Sequence, residues 1–155
     1  MANRFSTEFK ETISLSAEEA IRTHSPVIGP GHLLLGLIRH GQNSAVTILT
    51  QELGLSLPAL KEAVEALLPP AVDHRTAPGK TRVSLMGFRQ SNRLCLDRGA
   101  ERSLRGSVLK ARRMESRTVG ADHLLFSLFG DRDNQLYLVF RRWGIDRLPG
   151  APGAQ

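Results

Sequence analysis

The chain has 155 residues, 41% of them hydrophobic, which suits one compact domain or two small half-domains that share a core. Leu and Ala dominate and aromatic residues are few, a composition that favours helices over a β-sandwich. The net charge of +6 is unevenly placed. Residues 1–74 carry five Lys and Arg against eight Asp and Glu, whereas residues 75–155 carry sixteen against seven.

Three features of the sequence indicate the compartment. The single cysteine, Cys95, excludes an internal disulfide. Residues 1–11 lack the apolar stretch of a secretory signal peptide. No apolar run approaches the roughly 20 residues that a membrane-spanning helix needs. We therefore expect a cytoplasmic protein that does not enter a membrane.

The first predicted helix starts at Ser6 or Thr7 and ends near Thr23. Ser25-Pro26 stops it, because proline disfavours helical geometry in the residue before it. Apolar residues along the helix recur at steps of three and four, which gives it one buried face. These residues are Phe9, Ile13, Ala17, Ala20 and Ile21.

Three further helices complete the first half of the chain. Residues 29–39 form the second, opened by a Gly-Pro pair and followed by a His-Gly-Gln-Asn break. The third covers residues 44–53, with Ser44 as its N-cap and Gly54 as a left-handed C-cap. The fourth covers residues 56–68 and stops at a Pro-Pro pair.

An internal repeat organises the chain. Residues 28–37, IGPGHLLLGL, match residues 119–128, VGADHLLFSL, at a spacing of 91 residues without a gap. With one deletion, residues 44–54 then match residues 134–144. The sequence therefore predicts two copies of one helical unit.

The first three helices are also predicted, in the same order, in the second copy. Asp97, the counterpart of Ser6, caps a helix that reaches about Met114. A helix over residues 121–129 follows a short turn, and a last helix ends at Trp143. No fourth helix is predicted in this copy.

The predicted fold is all-α, with two tandem pseudo-symmetric repeats packed into one globule. Residues 1–68 are the first repeat, with four helices, and residues 94–146 are the second, with three. Residues 69–93 form a linker that begins with turn-forming residues. Residues 147–155 form a Gly-, Ala- and Pro-rich tail that is expected to be disordered.

The two signatures resemble the repeat of the N-terminal domains of Clp-type AAA+ unfoldases. That family carries Val/Ile-Gly-Thr-Glu-His-Ile/Leu-Leu-Leu-Gly-Leu at the second helix of each repeat. Arg4-Phe5-Ser6 looks like the first helix cap of the family, and Leu96-Asp97 looks like the second. The resemblance covers roughly residues 3–68 and 94–146. Because no ATPase module follows, it implies a stand-alone protein of this type or an excised domain.

The resemblance also implies one small pocket per repeat, lined by the helix cap and the acid of the signature. Some relatives bind phosphorylated arginine there, since a helix N-terminus favours phosphate and a carboxylate favours guanidinium. Gly31 replaces that acid in the first copy, whereas Asp122 keeps it in the second. A cationic or phosphoarginine-like group is therefore expected to prefer the second pocket. The expected partner-binding residues are Arg4, Ser6 and Gly31 in the first copy and Asp97, Gly120 and Asp122 in the second.

Catalytic and metal sites are not indicated. Gly79-Lys80-Thr81 ends like a nucleotide-binding P-loop, but His74 stands where the motif needs its first glycine. A zinc site would need His and Cys ligands clustered at tight spacing, which a single cysteine does not supply. His32 and His123 occupy equivalent positions, which indicates a shared structural role. We expect no cofactor and no bound metal.

The resemblance implies a non-enzymatic protein-binding module of the Clp chaperone and protease system. It would dock substrates or adaptors, or bind a Clp complex as an accessory subunit. The alternative is a nucleic-acid-binding protein that uses its arginine-rich second half, since a basic surface attracts phosphates. An enzyme is the third possibility, and no catalytic constellation supports it.

Overall fold

Seven helices and four two-residue strands form the part of the chain that the structure, a computed structural model, describes: residues 4–68, 94–145 and 148–149. The predicted all-α class is confirmed, and each predicted helix within these residues is present. In chain order the helices are α1 Thr7–Arg22, α2 Pro30–His40, α3 Ser44–Thr47 (continued by a π-helical turn over Ile48–Glu52), α4 Leu57–Leu67, α5 Arg98–Arg113, α6 Ala121–Gly130 and α7 Leu136–Arg142.

The two longest helices, α1 and α5, begin at equivalent caps. Ser6 Oγ accepts a hydrogen bond of 3.0 Å from the N–H of Phe9. Asp97 Oδ1 accepts one of 2.8 Å from the N–H of Ala100. Each bond satisfies one of the N–H groups that a helix start leaves without an internal partner. Both caps stand where the sequence predicts them.

Four short strands join the repeats: β1 Arg4–Phe5, β2 Val27–Ile28, β3 Cys95–Leu96 and β4 Thr118–Val119. Strand β1 pairs in parallel with β4, and β2 pairs in parallel with β3. In each pair, the strand before the first helix of one repeat therefore lies beside the strand before the second helix of the other. The sequence did not predict these strands, because two residues cannot show a strand period.

Helices α1 and α2 cross closely because Gly36 has no side chain. A Cβ at Gly36 would lie 2.3 Å from Ser16 Oγ and 2.7 Å from the backbone oxygen of Thr12. The second repeat places its glycine on the other helix of the pair. A Cβ at Gly106 of α5 would lie 2.3 Å from the Oγ of Ser127 in α6.

One hydrophobic core runs through both repeats. Leu34 of α2 and Leu125 of α6, which are 91 positions apart, are both fully buried in it. Helix α4 packs against α2 of its own repeat and against α7 of the second. This core makes the two repeats one folded body.

The start of α3 corrects one prediction. Asn43 caps this helix, not Ser44, and its Oδ1 accepts a hydrogen bond of 2.9 Å from the N–H of Val46. In the second repeat, Asn134 Oδ1 accepts the corresponding hydrogen bond, of 2.8 Å, from the N–H of Leu136. The donor is two residues after the asparagine there, and three residues after it in the first repeat. Asn43 and Asn134 are therefore equivalent at the spacing of 91. The deletion in the second copy falls after Asn134, not before it.

Two predicted segments lie largely beyond the described residues. The linker over residues 69–93 is outside them, and so are residues 146–147 and 150–155. Of the predicted tail, Leu148 and Pro149 are described, and Leu148 is buried in the core cluster. Helix α7 is the last helix in the described residues.

Candidate functional site

A pocket of about 480 Å³ opens where the start of α2 meets the start of α5; we call it the Asp97 pocket. Gly29 lies against the Asp97 carboxylate, and a Cβ at Gly29 would lie 2.9 Å from Oδ2. Because both repeats contribute to it, this pocket belongs to neither alone. Its lining includes Gly29, Gly31, His32, Leu68, Asp97, Arg102 and Gln135.

Asp97 and Asp133 are acidic residues that line this pocket. Asp97 is the one at the start of α5. Burial raises the pKa of its carboxyl group, and hydrogen bonds from the N–H groups of Ala100 and Gly99 act in the opposite direction. The side chain therefore has a structural role as the cap of α5, and it leaves a half-buried carboxylate at the pocket wall.

Gly31 stands in this pocket at the position where the family signature has an acidic residue. A Cβ at Gly31 would lie 2.8 Å from the Cδ2 atom of Leu68 and 3.6 Å from Val64. The end of α4 therefore fills the space in front of Gly31. A side chain at residue 31 would need the Leu68 side chain to move.

Asp122 lies at a second site, a shallow pocket of about 310 Å³ that we call the Asp122 pocket. Its backbone N–H donates a 3.0 Å hydrogen bond to Ser44 Oγ of the first repeat. Its Oδ1 lies 3.5 Å from His123 Nδ1. The pocket is lined by Ile48, Glu52, Met114, Asp122, Phe126 and Pro149.

The structure does not group the predicted site residues by repeat. Asp97 lies beside Gly29 and Gly31 of the first repeat, since its N–H donates to the Ile28 oxygen at 2.9 Å. Ser6 lies beside the start of α6, since its N–H donates to the Val119 oxygen at 3.0 Å.

The predicted pocket of Asp97, Gly120 and Asp122 is therefore wrong in its membership. Parallel pairing of the short strands exchanges the two caps between the repeats, so the two acids stand in different pockets. Arg4 lies in β1, where its side chain is exposed.

The two signature histidines have the structural role that the repeat predicts. Gly29 N–H donates to His32 Nδ1 at 2.9 Å, and Gly120 N–H donates to His123 Nδ1 at the same distance. His32 Nε2 lies 3.1 Å from Thr23 Oγ1. Burial lowers the pKa of His32 to about 4, so its ring is neutral at pH 7.

A further concave surface was not found by sequence reasoning. A groove of about 830 Å³ lies between α1, α2 and α4, and we call it the α1–α2–α4 groove. Ile21 is 44% exposed and adds apolar surface to this groove. The lining residues are Glu18, Glu19, Ile21, Arg22, Leu35, Ile38, Arg39, Leu57, Pro58 and Lys61.

Ion pairs hold the charged wall of this groove in place. Glu19, whose side chain is 5% exposed, bonds Arg22 at 2.8 Å and Arg39 at 3.3 Å. Arg39 also bonds Glu18 at 2.8 Å, and Arg22 also bonds Glu65 of α4. Hydrogen bonds to Glu19 and Glu65 raise the pKa of Arg22. The network ties α1 to α2 and α4 and fixes the groove shape.

Neither a metal centre nor a membrane span is found in the described parts of the chain. No three His, Cys, Asp or Glu side chains there are arranged to hold an ion. None of the helices there is both long and apolar enough to cross a membrane. The P-loop-like Gly79-Lys80-Thr81 lies outside the described residues, and Cys95 is buried in β3.

Two kinds of comparison bear on the family. A sequence profile described as the Clp repeat (R) N-terminal domain matches residues 4–142. The chaperone protein ClpB of Oceanobacillus iheyensis is 29% identical over 150 residues, which cover 94% of this chain and 16% of the relative. The negative regulator of genetic competence ClpC/MecB of Bacillus subtilis is 28% identical over 145 residues, again 94% and 16%. The chain thus spans about a sixth of the length of these relatives.

Solved structures show the same fold. The N-terminal domain of ClpD from Arabidopsis thaliana matches with a TM-score of 0.66 at 22% identity, over 92% of this chain and 86% of that one. The N-domain of ClpV from Vibrio cholerae matches with a TM-score of 0.67 at 13% identity, over 89% and 76%. With the profile covering most of its length, the chain belongs to the Clp repeat N-terminal domain family.

Proposed function

We propose that this chain is a non-enzymatic docking module of the Clp chaperone and protease system, and that a segment of a protein partner binds in the α1–α2–α4 groove. The partner is a substrate, an adaptor or a Clp complex that takes the chain as an accessory subunit. The observation that carries the proposal is the groove itself, which combines an exposed isoleucine with a fixed charged wall.

The groove offers two kinds of contact to a polypeptide. Ile21, Ile38 and Leu57 provide an apolar surface that a partner side chain can cover, and covering apolar area is the main favourable term in association. Lys61 at the rim provides a cation for acidic or backbone carbonyl groups. A partner segment with apolar residues next to polar or acidic ones fits this chemistry.

Only the first repeat supports such a groove within the described residues. Helix α4 forms one wall through Leu57, Pro58 and Lys61. In the second repeat, no helix follows α7 among the described residues. The proposed docking site is therefore specific to one of the two pseudo-symmetric halves.

We do not extend the proposal to phosphoarginine. Asp97 is engaged by the N–H of Ala100, and Asp122 lies over Gly120, where a Cβ would come within 2.8 Å of its Oδ1. Each acid thus turns back toward the start of a helix. The geometry of the two pockets provides no observation that favours this ligand over a helix-capping role.

The proposal is tested with one groove variant and one matched control. Ile21→Glu places a charge in the groove, whereas Leu138→Glu makes the same kind of change on α7, where the leucine is 40% exposed. Partners captured from the source cell with the wild-type chain are identified by mass spectrometry, purified and measured by calorimetry.

We expect Ile21→Glu to weaken binding of the purified partner by about tenfold or more, because a charged group replaces apolar surface that the partner would cover. Leu138→Glu should leave the affinity unchanged within about twofold. A partner that binds both variants as it binds the wild-type chain would show that the groove is not the docking site.

A further inference from the structure

Helix α5 carries a row of exposed arginines with one exposed leucine among them. The row follows the helix period, at steps of three and four residues, so its members share one face. It spans about 22 Å at a rise of 1.5 Å per residue. We call it the α5 stripe, and its members are Arg98, Arg102, Arg105, Leu109, Arg112 and Arg113.

The pseudo-symmetry of the fold supplies an internal comparison. Helix α1 occupies the equivalent place in the first repeat, and the six positions that match the α5 stripe are exposed there too. They hold two glutamates and a single arginine, where α5 holds five arginines. The same fold therefore forms without a basic face at this place. The six α1 residues are Thr7, Glu11, Ser14, Glu18, Ile21 and Arg22.

Several acidic groups lie near the N-terminal end of α5. Asp131 bonds Arg102 at 2.7 Å, and the charges of Asp133 and Asp97 also act on Arg102. The positive charge of the stripe is therefore partly balanced near the helix N-terminus. The C-terminal half of the helix carries four cations, Arg105, Lys110, Arg112 and Arg113, against one acid, Glu115, that follows the helix end.

Lys110, in that C-terminal half, is partly buried. Burial lowers its pKa, and the nearby charge of Arg113 lowers the pKa further. Favourable interaction with the helix dipole accounts for cations in the last turn, including Arg112 and Arg113. It does not account for Arg105, which lies in the middle of the helix.

Leu109 indicates the class of partner. It is 57% exposed, the most exposed of the large hydrophobic residues in the described chain, and it stands between Arg105 and Arg112. The phosphates of a nucleic acid would bind the arginines but would not cover the leucine. The stripe also has no aromatic ring on which a base could stack. A polypeptide can contact both, with carboxylates on the arginines and an apolar side chain on Leu109.

We propose that the C-terminal half of the α5 stripe, centred on Leu109, is a second docking surface that binds an acidic protein segment with an apolar residue between its carboxylates. Arg105 and Arg113 each lie about 6 Å from Leu109 along the helix axis, one on either side. The partner segment presents carboxylates at similar distances on both sides of one apolar side chain. This surface is independent of the α1–α2–α4 groove.

The test uses three probes of equal length. The first is a 15-residue glutamate-rich peptide with one central leucine, the second is the same peptide with alanine at the centre, and the third is a 15-nucleotide oligothymidine. Binding to the ¹⁵N-labelled chain is followed by NMR and by fluorescence anisotropy. Amide shifts are expected at Arg105, Leu109 and Arg113 with the leucine peptide.

Two variants and one charge-matched control accompany the probes. Arg105→Glu is expected to weaken the leucine peptide about tenfold, and Leu109→Ala to weaken it about threefold. Lys10→Glu makes the same change in net charge on α1, where Lys10 is exposed, and should change the affinity by less than about twofold. Circular dichroism confirms that each variant keeps its helices.

Three results would overturn the proposal. Equal weakening by Lys10→Glu and Arg105→Glu would show that net charge alone attracts the peptide. Equal binding of the leucine and alanine peptides would remove the role of Leu109. Tighter binding of the oligothymidine, with shifts at the same three amides, would assign the stripe to nucleic acid.

Discussion

The hydroxyl group of Ser44, in the first repeat, accepts a 3.0 Å hydrogen bond from the backbone N–H of Asp122, 78 residues later. This N–H belongs to the first turn of α6, where a helix has no internal acceptor for it. The residue that the sequence indicates as a cap for its own helix thus caps a helix of the other repeat. Ser44 and the paired strands together connect the two halves at their helix starts.

Replacing Ser44 should loosen α6, not α3. We expect Ser44→Ala to lower the free energy of unfolding by about 1 kcal/mol, because the Asp122 N–H loses a partly buried acceptor. Hydrogen exchange at the Asp122 amide should become faster. Ser56→Ala is the control, since Ser56 caps α4 through a 3.3 Å bond on the surface. Unchanged exchange at Asp122 in Ser44→Ala would contradict this role.

Leu34 and Leu125 should behave as equivalent core positions. Each is fully buried in the signature helix of its repeat. Leu→Ala at either position should cost about 2–5 kcal/mol of stability, the range for cavity-forming substitutions. Leu109→Ala, at an exposed position, should change stability by less than about 0.5 kcal/mol. The free energy of unfolding of all three variants is measured by urea denaturation. A value close to that of the wild-type chain for Leu34→Ala or Leu125→Ala would show that this leucine is not buried in the core.

The close crossing of α1 and α2 should not accept a methyl group. Gly36→Ala places a Cβ 2.7 Å from the Thr12 backbone oxygen, so the helices must move apart. We expect a loss of about 1–3 kcal/mol, the cost of overpacking, although alanine alone favours a helix. At Gly130, in the last turn of α6, the nearest atom to a new Cβ is Lys110 Nζ at 3.8 Å. Gly130→Ala should therefore be neutral or slightly stabilising, and equal destabilisation by both variants would contradict the crossing.

Much of the fold could be predicted from the sequence because its signals are local. The caps Ser6 and Asp97 and the left-handed Gly54 each act within a few residues of their own position. The spacing of 91 residues then related one half to the other. The choice between Asn43 and Ser44 could not be made from local signals, because both residue types are good helix caps. Asn43 also donates a hydrogen bond of 3.2 Å to the Leu37 oxygen. That contact depends on how α2 and α3 pack.

The candidate sites could be predicted only in part, since they form between segments that are distant in the chain. Asp97 reaches Gly29 because β2 pairs with β3, and a pair of two-residue strands has no sequence period. The α1–α2–α4 groove needs α4 to pack beside α1 and α2, which the helix pattern does not specify. The exposure of Ile21 was likewise not expected, because its spacing placed it on the apolar face.

His32 should make the protein less stable in mild acid. The pKa of its buried ring is about 4 in the folded protein, against 6.5 for an unperturbed histidine. Between these two values the unfolded chain binds more protons, so stability is complete above pH 6.5 and falls as the pH decreases. The loss from this residue should reach about 3 kcal/mol at pH 4. Burial raises the pKa of Asp97, which works in the opposite direction and partly offsets the loss.

A variant separates the contribution of His32 to acid destabilisation from that of the other titratable groups. His32→Gln removes the titrating ring while it keeps an oxygen that can accept the Gly29 N–H bond. It should be less stable than the wild-type chain at pH 7, and it should show a shallower loss of stability in urea between pH 6.5 and pH 4. NMR gives the direct measurement, because the ring signals of His32 should stay in the neutral form down to about pH 5. A ring that titrates near pH 6.5 in the folded protein would show that His32 is solvated and that its bond to Gly29 does not hold it neutral.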